Sequence, residues 1–287
     1  MLVLLSENTW LLYAVTFIFG ALIGSFLNVV ILRLPPRIMH EWRCQCRELL
    51  ETPGKDDPAP PGLVLARSKC PACGYQLSAL ENIPLLSYLF LKGRCSSCKQ
   101  KISPRYPVVE ALTGLAFVLV VWKFGLSEQA AYAMVFTGFL LAMSGIDIDH
   151  QLLPDNLTLP LLWAGLLLSL GSGFTDPVSS LIGAAAGYLV LWFIYHLFKI
   201  ATGREGMGYG DFKLLAAIGA WLGWQLLPQV ILISSLVGAV TGIAMLAVNR
   251  NRKGQPIPFG PFLATAGWIA LIWGDRINDA YHQYFGI

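Results

Sequence analysis

Eight stretches of this chain are too apolar to sit in water along their whole length. They fall near 10–32, 108–122, 129–146, 157–170, 178–198, 214–227, 230–248 and 259–274. A helix needs about 20 such residues to cross a bilayer, with a usual range of ~17–25. The 157–170 and 214–227 runs are short by that measure, but flanking Leu, Gly and Trp residues extend them, and short glycine-rich spans occur around intramembrane sites. Only 13% of the residues are charged, against roughly 25% in soluble domains. The expected fold class is an all-α polytopic membrane protein of about eight transmembrane helices, with the sixth and seventh divided at Pro228.

Charge sets the expected orientation. With an even number of spans and the N-terminus outside, the inner segments are 33–107, 147–156, 199–213 and 249–258. These hold all of the 20 Lys and Arg except Lys123 and Arg276. Basic residues flanking spans favour the cytoplasmic side, and Arg250, Arg252 and Lys253 in a short loop count fully. Both termini are therefore expected outside. The first segment lacks a basic start and a small-residue cleavage site, so Trp10–Leu32 reads as a retained helix.

Three segments follow: a first transmembrane helix over 1–32, a cytoplasmic loop over 33–107 and a seven-helix membrane core over 108–287. In the first helix Gly20, Gly24 and Ser25 form a small-residue stripe where another helix can approach closely. Asn28 is polar within the span and serves either as helix glue or as a site-lining group. Leu34-Pro35-Pro36 is expected to stop the helix. Pro53–Pro61 is a connector with little capacity for a core. Cys70-Pro71-Ala72-Cys73 and Cys95-Ser96-Ser97-Cys98 then give C-x2-C-x21-C-x2-C, close to the spacing of a four-thiolate zinc ribbon. Each pair forms a tight knuckle, and a structural zinc ion on Cys70, Cys73, Cys95 and Cys98 gives a small, coreless loop a reason to fold. Two redox pairs would be out of place in a cytosolic loop. Cys44 and Cys46 read as ordinary thiols. Between the knuckles, Glu81–Leu89 is mostly apolar and either packs on the ribbon or dips into the lipid surface. Glu110 falls in the first turn of the second helix, where the helix N-terminus favours a carboxylate; the alternative is a part in substrate or methyl-donor binding.

Carboxylates recur at two membrane-edge loops. Gly145-Ile146-Asp147-Ile148-Asp149 runs on to Leu153-Pro154-Asp155, and Gly206-Met207-Gly208-Tyr209-Gly210-Asp211 precedes the sixth helix. Asp is costly near lipid, so its recurrence there reads as function. A helical hairpin between the two loops would return both to one surface, where two carboxylates sharing a proton can hydrolyse a peptide bond. The glycines allow substrate backbone to approach Asp211. Asp147 is expected to end the third helix, Asp155 to cap the fourth, and Asp211 to precede the sixth. His196 reads as a hydrogen-bonded structural histidine, and Trp221 and Trp224 as interface anchors. Pro258-Phe259-Gly260-Pro261 opens the eighth helix as a plausible groove wall.

Together these residues closely resemble the bacterial type IV prepilin peptidases, a membrane GxGD aspartic protease family that is both leader peptidase and N-methyltransferase. The resemblance runs from Asn28 and Arg33-Leu34-Pro35 through both Cys pairs and Pro104-Arg105-Tyr106-Pro107-Val108-Val109-Glu110 to both Asp loops. It implies that Asp147 and Asp211 are the catalytic pair, and it alone selects Asp147 over Asp149. It also implies type IV prepilins or type II secretion pseudopilins as substrates, S-adenosyl-L-methionine as methyl donor, and a place in the bacterial inner membrane with the active site facing the cytoplasm. Glu110 is the candidate contact to the donor. No nucleic acid partner is expected. The competing readings are a membrane aspartic protease without methyl transfer, against which the Cys-bearing insertion argues, and a proton-coupled transporter, which should place its carboxylates near the midplane.

Overall fold

The computed structural model describes residues 8–51, 58–64, 66–78, 80–248 and 257–285. Part of the Pro53–Pro61 connector and the basic loop with Arg250, Arg252 and Lys253 lie outside the described residues. The fold is all-α, and its long helices are α1 (Thr9–Leu49), α2 (Arg105–Phe124), α3 (Glu128–His150), α4 (Asp155–Leu168), α5 (Pro177–Thr202), α6 (Tyr209–Leu222), α7 (Leu227–Val248) and α8 (Gly260–Phe285). Among the described residues, five helical stretches are long and apolar enough to cross a membrane: α1, α2, α3, α5 and Trp224–Met245. The protein is a polytopic membrane protein. Its contacts divide it into two compact units, residues 1–126 and 127–287.

In the first unit α1 packs along α2. A Cβ added at Gly24 would lie 2.8 Å from Glu110 Cα and 2.9 Å from Thr113 Oγ1, so the two backbones are as close as a small-residue stripe permits. Asn28 is buried, and its Nδ2 donates to the Tyr106 carbonyl at 3.1 Å, which ties α1 to the start of α2. That is the helix-glue role.

The prolines do not end α1. The helix continues through Pro35 and Pro36 to Leu49, although each proline removes an intrahelical bond. Tertiary contacts hold the continuation. Leu34, Pro35 and Ile38 are buried. Arg33 donates to the carbonyls of Gly62 (2.9 Å), Ala66 (2.7 Å) and Arg67 (3.4 Å), and Arg37 donates to that of Pro60 (3.3 Å). The carbonyls of Pro60, Gly62, Ala66 and Arg67 are thus strapped to the helix.

The second unit is built around α6. Every residue from Asp211 to Leu222 except Lys213 is buried, and α4, α5 and α8 pack on it. At 14 residues it spans about 21 Å, short for lipid, but a helix apolar on all sides and enclosed by other helices need not match the bilayer. Gly183 of α5 and Gly219 of α6 meet so closely that a Cβ on either would run into the other's carbonyl. Trp221 is not an interface anchor. It is buried, its Nε1 donates to the Leu161 carbonyl at 2.7 Å, and its ring packs on Phe136. Trp224 is half exposed.

Several boundaries differ from expectation. The α6–α7 break falls at Gly223, whose φ of 83° is glycine territory. Pro228 instead sits in the first turn of α7, where its missing N–H is tolerated. Helix α3 runs to His150, and α6 begins at Tyr209, so Asp147 and Asp211 are both helical. Asp155 is not a cap. Pro154 holds that position, and the Asp155 carboxylate instead takes Lys213 Nζ at 2.6 Å, pinning α4 to α6.

Candidate functional site

Three helix ends converge in the second unit: the last turn of α3 and the first turns of α6 and α8. Asp147 and Asp211 are both buried, 5% and 7% exposed. Asp147 Oδ2 accepts the Gly260 N–H at 2.9 Å, so the carboxylate lies at the N-terminus of α8. Asp211 is the third residue of α6, and its Oδ2 accepts the Gly208 N–H at 3.2 Å. Each carboxylate therefore lies at a positive helix pole. Asp149, two residues from Asp147, is exposed.

Leu153 holds the three ends in register. A Cβ on Gly210 would lie 2.6 Å from Leu153 Cβ. One on Gly260 would lie 2.7 Å from Asp147 Oδ2 and 3.2 Å from Leu153 Cδ1. Both glycines are thus required by close approach, Gly210 beside Asp211 and Gly260 against Asp147. Beyond α6's first turn, Tyr195, Tyr209 and Phe212 form an aromatic cluster that fixes the entry of the glycine loop. His196 is half-buried, with Nδ1 2.9 Å from the Trp192 carbonyl and its ring on Trp192, which is a structural setting. The Asp147–Gly260 bond joins residues far apart in the chain. Its one sequence signal was the Pro-Phe-Gly-Pro entry to α8, which read only as a groove wall.

The cysteine cluster lies in the first unit. The Sγ atoms of Cys70, Cys73, Cys95 and Cys98 all lie within 4.8 Å of one another, a set able to hold a metal ion. The two knuckles repeat each other bond for bond. Cys70 N–H donates to the Tyr75 carbonyl and Gly74 N–H to Cys70; Cys95 N–H donates to Gln100 and Lys99 N–H to Cys95. The residues in the equivalent turn positions, Gly74 and Lys99, both have positive φ. An isolated antiparallel bridge closes each knuckle, Lys69 to Gln76 and Arg94 to Lys101. The Cys73 and Ala72 amides draw the Cys70 thiol down to about 6. At Cys98 the Gln100 amide pulls the same way, but desolvation and the facing sulfurs of Cys73, Cys95 and Cys70 prevail and push it up to about 11. Four thiols this close resist ionising together, and a bound cation would relieve that repulsion. Cys44 and Cys46 are exposed on the α1 continuation and are not members of the cluster.

Glu110 lies in the second turn of α2 rather than the first, so the helix terminus does not account for it. It is buried, and its Oε2 accepts the Leu85 N–H at 2.8 Å. On the α1 side its Cα lies against Gly24, where an added Cβ would come within 2.8 Å. Glu110 thereby connects α1, α2 and the segment between the two knuckles.

Two family models match this arrangement unit by unit. The Bacterial Peptidase A24 N-terminal domain matches residues 18–124, and the Type IV leader peptidase family matches residues 134–243. The chain is 53% identical to the prepilin leader peptidase/N-methyltransferase of Stutzerimonas stutzeri, covering 98% of this chain and 97% of that protein. It is 54% identical to the protein of the same name from Pseudomonas aeruginosa, covering 94% and 93%. With that from Legionella pneumophila it shares 43%, over 98% of both. The chain belongs to the type IV leader peptidase family. No solved structure matches it. In this leader peptidase family member, the N-terminal model covers the helix pair and cysteine cluster, and the peptidase model covers both aspartates.

Proposed function

We propose that this protein removes the leader peptide from type IV prepilins or type II secretion pseudopilins and then N-methylates the exposed amino terminus. Near full-length similarity to prepilin leader peptidase/N-methyltransferases supports both activities. The observation that carries the cleavage chemistry is the meeting of two buried aspartates at adjoining helix ends.

Asp147 and Asp211 are the proposed catalytic pair. With one proton shared between them, the ionised carboxylate takes a proton from water, whose oxygen attacks the scissile carbonyl carbon. The protonated partner donates to the carbonyl oxygen. As the tetrahedral centre collapses and the C–N bond breaks, a proton passes to the departing amine. The Gly260 and Gly208 amides hold the two side chains for this work. Leu153 fills the space at Gly210, whereas an added Cβ at Gly208 would meet nothing closer than 3.9 Å, so Gly208 is the glycine that leaves room for substrate backbone beside Asp211.

Eight spans are proposed, with α4, α6 and α8 added to the five helical stretches above, and both termini periplasmic. The charge bias supports this topology and a cytoplasmic active site in the inner membrane. Residues 33–107 are read as the cytoplasmic insertion, begun by the continuation of α1, with the remaining helices as the membrane core. Its cysteine cluster suits structural zinc. Tetrahedral Zn–S bonds of about 2.3 Å set sulfur–sulfur edges of about 3.8 Å, and Cys70 Sγ lies 3.8 Å from Cys98 Sγ. Four thiolates leave no open position for catalysis.

Methyl transfer is assigned to the first unit. S-adenosyl-L-methionine would supply an electrophilic methyl group, and the pilin amine must lose a proton to accept it. Glu110 is retained as the candidate residue near the donor. Its bond to the Leu85 N–H supports a role in holding the segment between the knuckles as well.

The test is cleavage of a purified prepilin by Asp147→Asn and Asp211→Asn enzymes in lipid, with methylation of precleaved pilin measured in parallel. Both variants should lose cleavage and keep methyl transfer. A variant that cuts at the native rate would sink the catalytic assignment, and failure to methylate would show that the two chemistries share one site.

A further inference from the structure

The stretch 80–101 carries a surface that neither the aspartate pair nor the cysteine cluster uses. Leu80, Leu89 and Phe90 are 77%, 70% and 82% exposed, and Leu86 is half exposed. They belong to a 3-10 turn, Leu80–Asn82, and a five-residue helix, Leu86–Phe90. Lys92, Arg94, Lys99 and Lys101 follow directly, all exposed. The one carboxylate in the stretch, Glu81, is engaged locally, accepting from the Ser78 N–H and the Tyr75 hydroxyl.

One bond places this surface relative to α2. Leu85 N–H donates to Glu110 Oε2, and Glu110 lies five residues inside the apolar helix that starts at Arg105. At 1.5 Å per residue, that is roughly 8 Å along the axis from the start of α2. Interfacial helices sit about 5–10 Å into the boundary between headgroups and acyl chains. Leu85 itself has a φ of 60°, a costly conformation for a residue with a γ-branched side chain. The segment is thus held at this level by Glu110 and not by its own backbone preference.

We propose that Leu80, Leu86, Leu89 and Phe90 are seated in the headgroup–acyl boundary of an anionic bilayer, with Lys92, Arg94, Lys99 and Lys101 on its headgroups. Exposed apolar side chains next to unneutralised cations match an anionic lipid surface on both counts. The insertion then lies on the membrane instead of hanging free of it.

The experiment is amide hydrogen exchange of the full-length protein in nanodiscs of phosphatidylcholine alone and of phosphatidylcholine with phosphatidylglycerol. The amides of Leu89 and Leu91 should exchange more slowly with phosphatidylglycerol present. Arg94→Gln and Lys101→Gln should each reduce that protection roughly fivefold, and Leu89→Glu/Phe90→Glu should abolish it while exchange in α2 stays unchanged. Equal exchange in the two lipids overturns the proposal. So does protection that appears only on adding prepilin or on raising the protein concentration, because either would make the surface a protein interface.

Discussion

The carboxylate of Asp147 is held by the backbone N–H of Gly260, 2.9 Å away, across 113 residues of chain. One proposed catalytic group is therefore positioned by the first residue of the last helix.

Gly260→Ala tests that dependence. Its Cβ would intrude to 2.7 Å from Asp147 Oδ2, and since Gly260 does not have a positive φ the chain itself tolerates alanine. The expected outcome is a fall in kcat for leader cleavage on the order of 100-fold. Methylation of precleaved pilin should be unchanged. Steady-state kinetics on both substrates distinguish a displaced carboxylate from a misfolded enzyme.

Asp149→Asn should retain most of the cleavage rate. Asp149 is exposed while Asp147, half a turn away, is buried against Gly260. A loss as deep as that of Asp147→Asn, measured on the same prepilin, would exchange their roles.

Zinc should be present at one per chain, and Cys→Ser at any of positions 70, 73, 95 or 98 should release it. The paired knuckles supply the geometry, but a structural site unfolds locally without its ion. Elemental analysis and limited proteolysis of residues 66–102 read the two effects together. Metal-free protein with both pairs oxidised to disulfides would remove the basis for the assignment.

Gly24→Leu should damage methyl transfer more than cleavage. The added side chain meets Glu110 Cα and Thr113 at a point where the backbones already touch. Prising α1 from α2 moves Glu110, and with it the Leu85 anchor of the inter-knuckle segment. The ratio of the two activities in one preparation is the readout; an equal loss of both would argue against a separate methylation site.

The legible parts of this fold were those written in short-range pattern. Apolar runs marked the helices, and the C-x2-C spacing brought four sulfurs together as expected. Helix ends were harder wherever tertiary contacts outweighed local chemistry. Pro35 and Pro36 read as a stop because nothing near them revealed that Arg33 and Arg37 would bind the carbonyls of a later loop. Pro228 drew the boundary that Gly223 makes, since proline's tolerance in a helix's first turn depends on where that turn falls. Trp221 looked like an anchor by residue type, yet its N–H found a carbonyl inside the bundle. The Asp147–Gly260 bond could not be read from spacing at all, because only the packing of α3 against α8 creates it.

That bond also bears on the order of biosynthesis. Both aspartates emerge from the ribosome well before residue 260, so a nascent chain carries the proposed catalytic pair while one member still lacks its amide clasp. On the proposed assignment, the geometry of the pair is complete only once the last helix is in place.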